Sequence, residues 1–265
     1  MNVFLREMRA TRKSLIIWSI SMIVMVAGGM NKYEAISASG QSMNELVSQM
    51  PKSLQTIMGM GAFDLSKAIG YYGLLFLYLV LMAGIHALTL GATIIVKEER
   101  DKTAEFLLAK PISRSGIVTA KLMAACVNLV VLNGITMLTS IQMVSYYSKG
   151  ATQTHDIIVL MIGMFFLQLI FGALGAGIAA IYKHPKTAVS IGTFILLAML
   201  ILSLMIDINS KIEVLKYLTP FQYYTAKQIV ASRELDSVFV TLSVVEIVLL
   251  LLATYVSFNK RDMNV

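Results

Sequence analysis

The run VKEERDKTAEFLLAKPISRSGIVTAKL, residues 96–122, carries ten charged side chains in a chain that is only 14% charged. It lies between two long apolar runs, so it reads as a loop joining two membrane spans, and charge of that density has to sit in water. Lys97, Arg100, Lys102, Lys110, Arg114 and Lys121 outnumber Glu98, Glu99, Asp101 and Glu105, and a basic surplus in a short loop places it on the cytoplasmic side. Nearly everything outside this loop reads as membrane.

Composition supports that reading. With 265 residues, 57% hydrophobic content and a mean hydropathy of +0.75, a soluble domain would have too little polar side chain to cover its surface. A helix needs about 20 apolar residues to cross a hydrocarbon core of roughly 30 Å. Open strands are excluded there because unpaired backbone groups in lipid are costly, and the apolar runs are continuous rather than alternating, which excludes barrel strands. The expected fold is therefore all-α and integral to the membrane. One cysteine, Cys126, excludes a disulfide framework and a cysteine-rich metal site. The formal charge of +7 follows from topology, and no nucleic-acid partner is expected.

Six spans are predicted, over 14–30, 71–96, 117–146, 157–182, 187–206 and 238–258, in a single transmembrane domain covering 1–265. Ahead of them, Val3, Phe4, Leu5 and Met8 alternate with Arg6, Arg9, Arg12 and Lys13. This is either a basic amphipathic helix in the cytoplasmic interface or a charged tail that sets orientation. No small-residue cleavage site follows, so it is not read as a signal peptide. The charged loop covers 97–116, and the external loops cover 31–70 and 207–237. In the first external loop Met43, Leu46, Val47, Met50, Leu54 and Ile57 recur at helical spacing, which predicts one or two amphipathic helices on the outer leaflet. With both termini inside, the cytoplasmic segments hold Arg6, Arg9, Arg12, Lys13, Lys97, Arg100, Lys102, Lys110, Arg114, Lys121, Lys183, Lys186, Lys260 and Arg261. These are 14 of the 22 basic residues, so both termini are expected in the cytoplasm.

Within the charged loop, Asp101 and Glu105 suit a helix N-terminus, Phe106, Leu107 and Leu108 form an apolar knob, and Pro111 stops the helix. Ser113 is placed to cap the helix that follows. An exposed apolar knob ringed by charge marks contact with a protein or with lipid headgroups. A second segment, Tyr217-Leu-Thr-Pro-Phe-Gln-Tyr-Tyr, puts Pro220 at a first helical position with Thr219 as its cap. Tyr217, Phe221, Tyr223 and Tyr224 are rings suited to a membrane interface. Glu246 lies near the middle of the last span, where a charge is costly, and marks either a pathway or a helix contact. His86 in the second span has no His, Asp or Glu one turn away, which favours a structural hydrogen bond over a metal or proton relay. Gly172, Ala173, Ala176, Gly177 and Ala180 make a small-residue face for close packing, within one subunit or between two. The 18 methionines suit adaptable packing.

The stretch from Glu98 to Arg114 resembles the first cytoplasmic loop of ABC-2 type permeases, the membrane subunits of a class of bacterial ABC transporters. Glu98, Glu99, Lys102, Thr103, Glu105, Leu107, Leu108, Pro111, Ile112, Ser113, Arg114 and Lys121 carry the likeness. The resemblance implies that this loop is a coupling helix docking in a cleft of an ATP-binding subunit. The coupling residues would be Glu98, Glu99, Asp101, Lys102, Thr103, Glu105, Phe106, Leu107, Leu108, Lys110, Pro111 and Arg114. The segment around Pro220 is similar to the family's external Pro-aromatic motif. It implies two half-helices dipping back from the outer face, with Tyr217, Pro220, Phe221, Tyr223 and Tyr224 at an exit gate.

No G-x-x-x-x-G-K-[ST] motif occurs, so this chain is expected to hold no cofactor and to be no enzyme. ATP and Mg would be bound by two copies of a partner ATPase subunit. A second permease copy, identical or related, and membrane lipids complete the expected partners, in a bacterial cytoplasmic membrane. The cargo would be a hydrophobic or amphipathic molecule moved outward. Two other readings remain at this point, an ion-coupled secondary transporter and a non-transporting scaffold or immunity protein. Glu98-Glu99 is also similar to the paired glutamates of CAAX-processing membrane proteases. Arg100 follows them too closely, and His86, His155 and His184 are wrongly placed.

Overall fold

The computed structural model describes residues 3–38, 43–57, 60, 63–100, 112–148, 153–182 and 185–260. Its long helices are α1 (Val3–Ala38), α4 (Ala68–Arg100), α5 (Arg114–Tyr147), α6 (Thr154–Ile181), α7 (Pro185–Ile208) and α9 (Ser237–Lys260). Short helices α2 (Met43–Ser48), α3 (Lys52–Ile57) and α8 (Ala226–Ser232) lie in the connections. The protein is an all-α integral membrane protein: the six long helices are each long and apolar enough to cross a bilayer, and no strand occurs among the described residues. The helices alternate in direction, so Val3 and Lys260 sit at one end, called here the terminal end. The connections before α4 and after α7 sit at the other, distal end.

Helix α1 has 36 residues and rises about 54 Å, well beyond a hydrocarbon core of roughly 30 Å. The basic start, read from sequence as either an interfacial amphipathic helix or a charged tail ahead of the span, is neither. Instead it runs unbroken into the span. No proline or glycine interrupts residues 3–27, and Glu7 is drawn into the protein beside α4. Ser113 caps α5 as expected, accepting the Gly116 N–H at 3.1 Å.

Helices α4 and α6 form the centre of the bundle and share its most extensive contact, with α1 on α5 and α9 on α6 next. Small residues make the centre possible. A Cβ on Gly91 would strike the Gly172 carbonyl, and a Cβ on Gly175 would strike the Leu88 carbonyl, so the two backbones touch. The small-residue face of α6 therefore packs within the subunit, and it serves two partners. Gly172 and Gly175 meet α4, and Gly177 lies beside Leu250 and Thr254 of α9. Polar side chains add fixed points between helices. Tyr72 donates to Ser140 at 2.7 Å, and the Asn133 amide reaches the Met161 carbonyl at 3.1 Å and Gln168 at 3.2 Å. Helices α1, α7 and α9 leave broad apolar faces uncovered, including Ile17, Val24, Phe194, Ile201, Leu249 and Leu252. A bilayer can solvate such faces without cost.

Candidate functional site

The distal connection between α7 and α9 folds back into the bundle. After Ile208 a 3₁₀ segment, Ser210–Leu218, kinks at Ile212 and descends. A 3₁₀ turn at Pro220–Gln222 forms the lowest point, and α8 climbs back out. Two contacts measure the depth. Thr219 Oγ1 donates to the Met199 carbonyl at 2.8 Å, nine residues before the end of α7 and about 14 Å below it. On the other side Tyr223 Oη meets Glu246 Oε1 at 2.7 Å, nine residues or about 14 Å below the start of α9. The turn therefore reaches well into the distal half of the bundle.

Irregular backbone at that depth persists only where protein surrounds it, and this turn is enclosed on three sides. Against α7, the Gln222 amide faces the Ser203 carbonyl, the Ser203 hydroxyl and Asp207 Oδ1 at 2.9, 3.0 and 3.0 Å. Against α9, Tyr224 and Ser243 share a hydrogen bond of 2.7 Å, and Tyr223 stacks on Phe239. Against α6, Tyr224 stacks on Phe166 and Phe221 tilts onto Phe171. At the rim Arg233, in the left-handed conformation that ends α8, forms an ion pair with Asp156 at 3.6 Å, longer than a hydrogen bond. Lys216 donates to Glu213 at 3.0 Å, and that bond holds its ammonium above the ordinary range.

Two expectations need correcting here. Thr219 occupies the cap position before Pro220, but its side chain caps nothing. The Met199 carbonyl of the neighbouring helix takes its proton. Phe221, Tyr223 and Tyr224 do not form an interfacial belt. They are buried in protein, and Tyr217 alone of the four rings is exposed.

Glu246 and the aromatic segment, singled out separately in sequence, meet in one cluster. Tyr223 Oη lies 2.6 Å from the Tyr217 carbonyl as well as 2.7 Å from Glu246. Tyr223 is the donor to both, so its single phenolic proton is shared between the Tyr217 carbonyl and the Glu246 carboxyl oxygen. Glu246→Gln is expected to be close to neutral, since its amide oxygen can accept in the same place. Tyr223→Phe should cost about 1–2 kcal/mol and Glu246→Ala a similar amount. The Tyr223→Phe/Glu246→Ala pair should be no worse than either alone. Thermal unfolding of the four variants in detergent tests this, and additive losses would show that the two side chains act separately.

His86 stands apart from this site. It is buried in α4 against Trp18 of α1, with ring centroids 5.2 Å apart, and among the described residues its Nδ1 has no hydrogen-bond partner. It makes a helix contact through its ring, and the structural hydrogen bond expected of it is not made at Nδ1 among the described residues.

At the terminal end a second cluster gathers where α4 leaves the bilayer. Glu7 of α1 is fully buried. Its carboxylate holds Arg6 at 2.9 Å and Lys97 of α4 at 3.1 Å. Lys121 of α5, also fully buried, donates to the Ile94 and Ile95 carbonyls of α4 at 2.6 and 3.2 Å. Arg114 donates to the Asn259 carbonyl of α9 at 3.2 Å. Sequence reasoning missed Glu7 because four basic neighbours make its segment read as surface. The one available signal was a lone acid in that basic piece.

A family model described as ABC-2 family transporter protein matches residues 1–263. The chain belongs to the ABC-2 transporter family. A search of curated proteins finds no match. Membership makes this chain a permease subunit of an ABC transporter, a transport subunit rather than an enzyme in itself, and implies pairing with an ATP-binding subunit. In this ABC-2 permease the loop between α4 and α5 falls mostly outside the described residues: Asp101, Lys102, Thr103, Glu105, Phe106, Leu107, Leu108, Lys110 and Pro111 all lie there. Glu98 and Glu99 belong to the last turn of α4, and Arg114 opens α5. The two helices that flank the loop are thus the ones tied together by Lys121 and, through Lys97, to α1.

Proposed function

We propose that this permease is the membrane half of an ATP-driven exporter in a bacterial cytoplasmic membrane. Both termini lie in the cytoplasm, and the cargo is a lipid-like molecule, a hydrophobic antibiotic or an amphipathic peptide. The observation that carries the reading is the family match along essentially the whole chain. Two copies of an ATP-binding subunit flank the complex, and a second permease copy, identical or related, completes the route. ATP and Mg, held by those partners, supply the energy for closure. Residues 98–114 take up the movement: Leu107 and Leu108 seat in the partner, and Glu98, Glu99, Asp101, Lys102, Thr103, Glu105, Phe106, Lys110, Pro111 and Arg114 frame that seat. The loop is continuous with α4 and α5, so a push on it tilts both helices, and Lys97–Glu7 carries the tilt to α1. At the distal end the segment from Tyr217 to Tyr224 caps the exit, with Glu246 as its anchor on α9.

The pair Leu107→Asp and Leu108→Asp replaces an apolar seat with two charges and should abolish cargo-stimulated ATP hydrolysis while leaving the chain inserted. Stimulated hydrolysis measured in reconstituted vesicles tests this. Undiminished stimulation in the double variant would overturn the assignment of the coupling loop.

A further inference from the structure

Beside the re-entrant turn, on the side away from α9, a cavity of about 600 Å³ opens between the distal halves of α4 and α7 and the start of α8. That volume is in the range of small-molecule sites, about 300–1,000 Å³. Its chemistry changes with depth. Phe76, Leu77 and Val80 line it on α4, with Phe221 on the turn. These α4 residues lie about 12–18 Å below the distal end of that helix. Asp207 lines it one residue from the distal end of α7, and Glu213 near the top of the descending segment. Lys216 lies lower on that segment, and Lys227 in the first turn of α8, just above the re-entrant turn. An acid at the rim, a cation below it and an apolar floor beneath both follow the profile of a bilayer leaflet, from headgroup to acyl chain. A water-soluble ligand would leave the floor uncovered, and a pure hydrocarbon would leave the charges unused.

The mouth also specifies the head. Glu213 and Lys216 neutralise each other at 3.0 Å. Lys227 has no ion-pair or hydrogen-bond partner among the described residues, and Asp207 accepts only from the Gln222 amide. One cation and one anion are therefore left without a countercharge. We propose that this cavity is a head-group site for a zwitterionic phospholipid, with Lys227 taking the phosphate, Asp207 taking an ammonium, and the first acyl methylenes lying on Phe76, Leu77 and Val80. The inference rests on the export reading in so far as it places such an amphiphile beside the exit cap.

The test uses the full chain in nanodiscs and phosphatidylethanolamine carrying a diazirine in its acyl chain. Phosphatidylglycerol and diacylglycerol with the same diazirine serve as comparisons. Mass spectrometry locates the label. Phosphatidylethanolamine should label peptides of residues 73–80 and 203–208 at least fivefold more than either comparison lipid. Asp207→Asn together with Lys227→Gln should remove that preference. Leu77→Trp, which fills the floor and leaves the charges alone, should remove labelling by all three lipids. Equal labelling by diacylglycerol, or preference for phosphatidylglycerol, would overturn the zwitterionic site. So would a preference that survives the Asp207/Lys227 pair in a variant whose melting point is unchanged. Head-group-dependent labelling in a chain that binds no ATPase would keep the site and remove the export reading. A bound ATPase with no such labelling would do the reverse.

Discussion

Gly91→Ala or Gly175→Ala adds one methyl group and is expected to unseat α4 from α6. Each new Cβ falls on a backbone carbonyl of the facing helix, that of Gly172 or of Leu88, and backbone cannot swing aside as a side-chain tip does. The pair must separate along its length. Both helices lie in the centre, so the loss spreads to α1, α5 and α7, which pack around them. Overpacking of a tight core costs about 1–3 kcal/mol, and a backbone clash belongs at the upper end. The expected drop in apparent melting temperature is roughly 5–10 °C. Gly28→Ala and Gly134→Ala are matched controls. A Cβ there meets nothing within 4 Å, so both should melt with the parent or slightly above it, since alanine favours helix. Fluorescence-detected size exclusion after a heat series reads all four. If Gly91→Ala and Gly175→Ala tolerate heat as the controls do, the two backbones do not touch as described.

Glu7→Ala is the second large loss. The carboxylate is 0% exposed, and it offsets Arg6 and Lys97 at once. Removing one partner of a buried pair costs about 3–5 kcal/mol when the other charge is stranded. Lys97 and Arg6 are still partly exposed, at 22% and 30%, and their long stems can carry the charges to water. The expected cost is therefore about 2–3 kcal/mol, below the full penalty. Lys97→Met should cost less than Glu7→Ala, because Arg6 still satisfies the carboxylate. The double variant should recover at least about 1 kcal/mol relative to the sum of the single losses. Thermal unfolding of the cycle checks this. Strict additivity would mean that Glu7 and Lys97 do not hold α1 to α4.

Sequence legibility follows the range of the interaction. The all-α membrane class shows in the continuous apolar runs because each span satisfies its own backbone. The Ser113 cap was legible because its partner, Gly116, is three residues away. Thr219 shows where such local rules fail: it sits at a cap position, yet a carbonyl 20 residues earlier takes its proton. The rings from Phe221 to Tyr224 read as an interfacial belt because nothing local says that Phe166, Phe171 and Phe239 wait to receive them. Glu246 was visible as a costly charge, but its partner Tyr223 was not, because the turn brings them together from different elements. Glu7 was hidden more fully, since the Lys97 that explains it is 90 residues away. Gly172 and Ala176 announced close packing without saying against what, and only the fold supplies Gly91.

The central claim is that this ABC-2 permease couples to an ATP-binding subunit through the loop between α4 and α5. Its most direct test is to purify the tagged chain from its native membrane in mild detergent and identify by mass spectrometry what comes with it. The account predicts a stoichiometric soluble partner carrying a P-loop, retained by the parent chain and lost from the Leu107→Asp/Leu108→Asp variant. A chain that purifies without any P-loop protein, or one that keeps it equally well with both aspartates in place, would contradict the account.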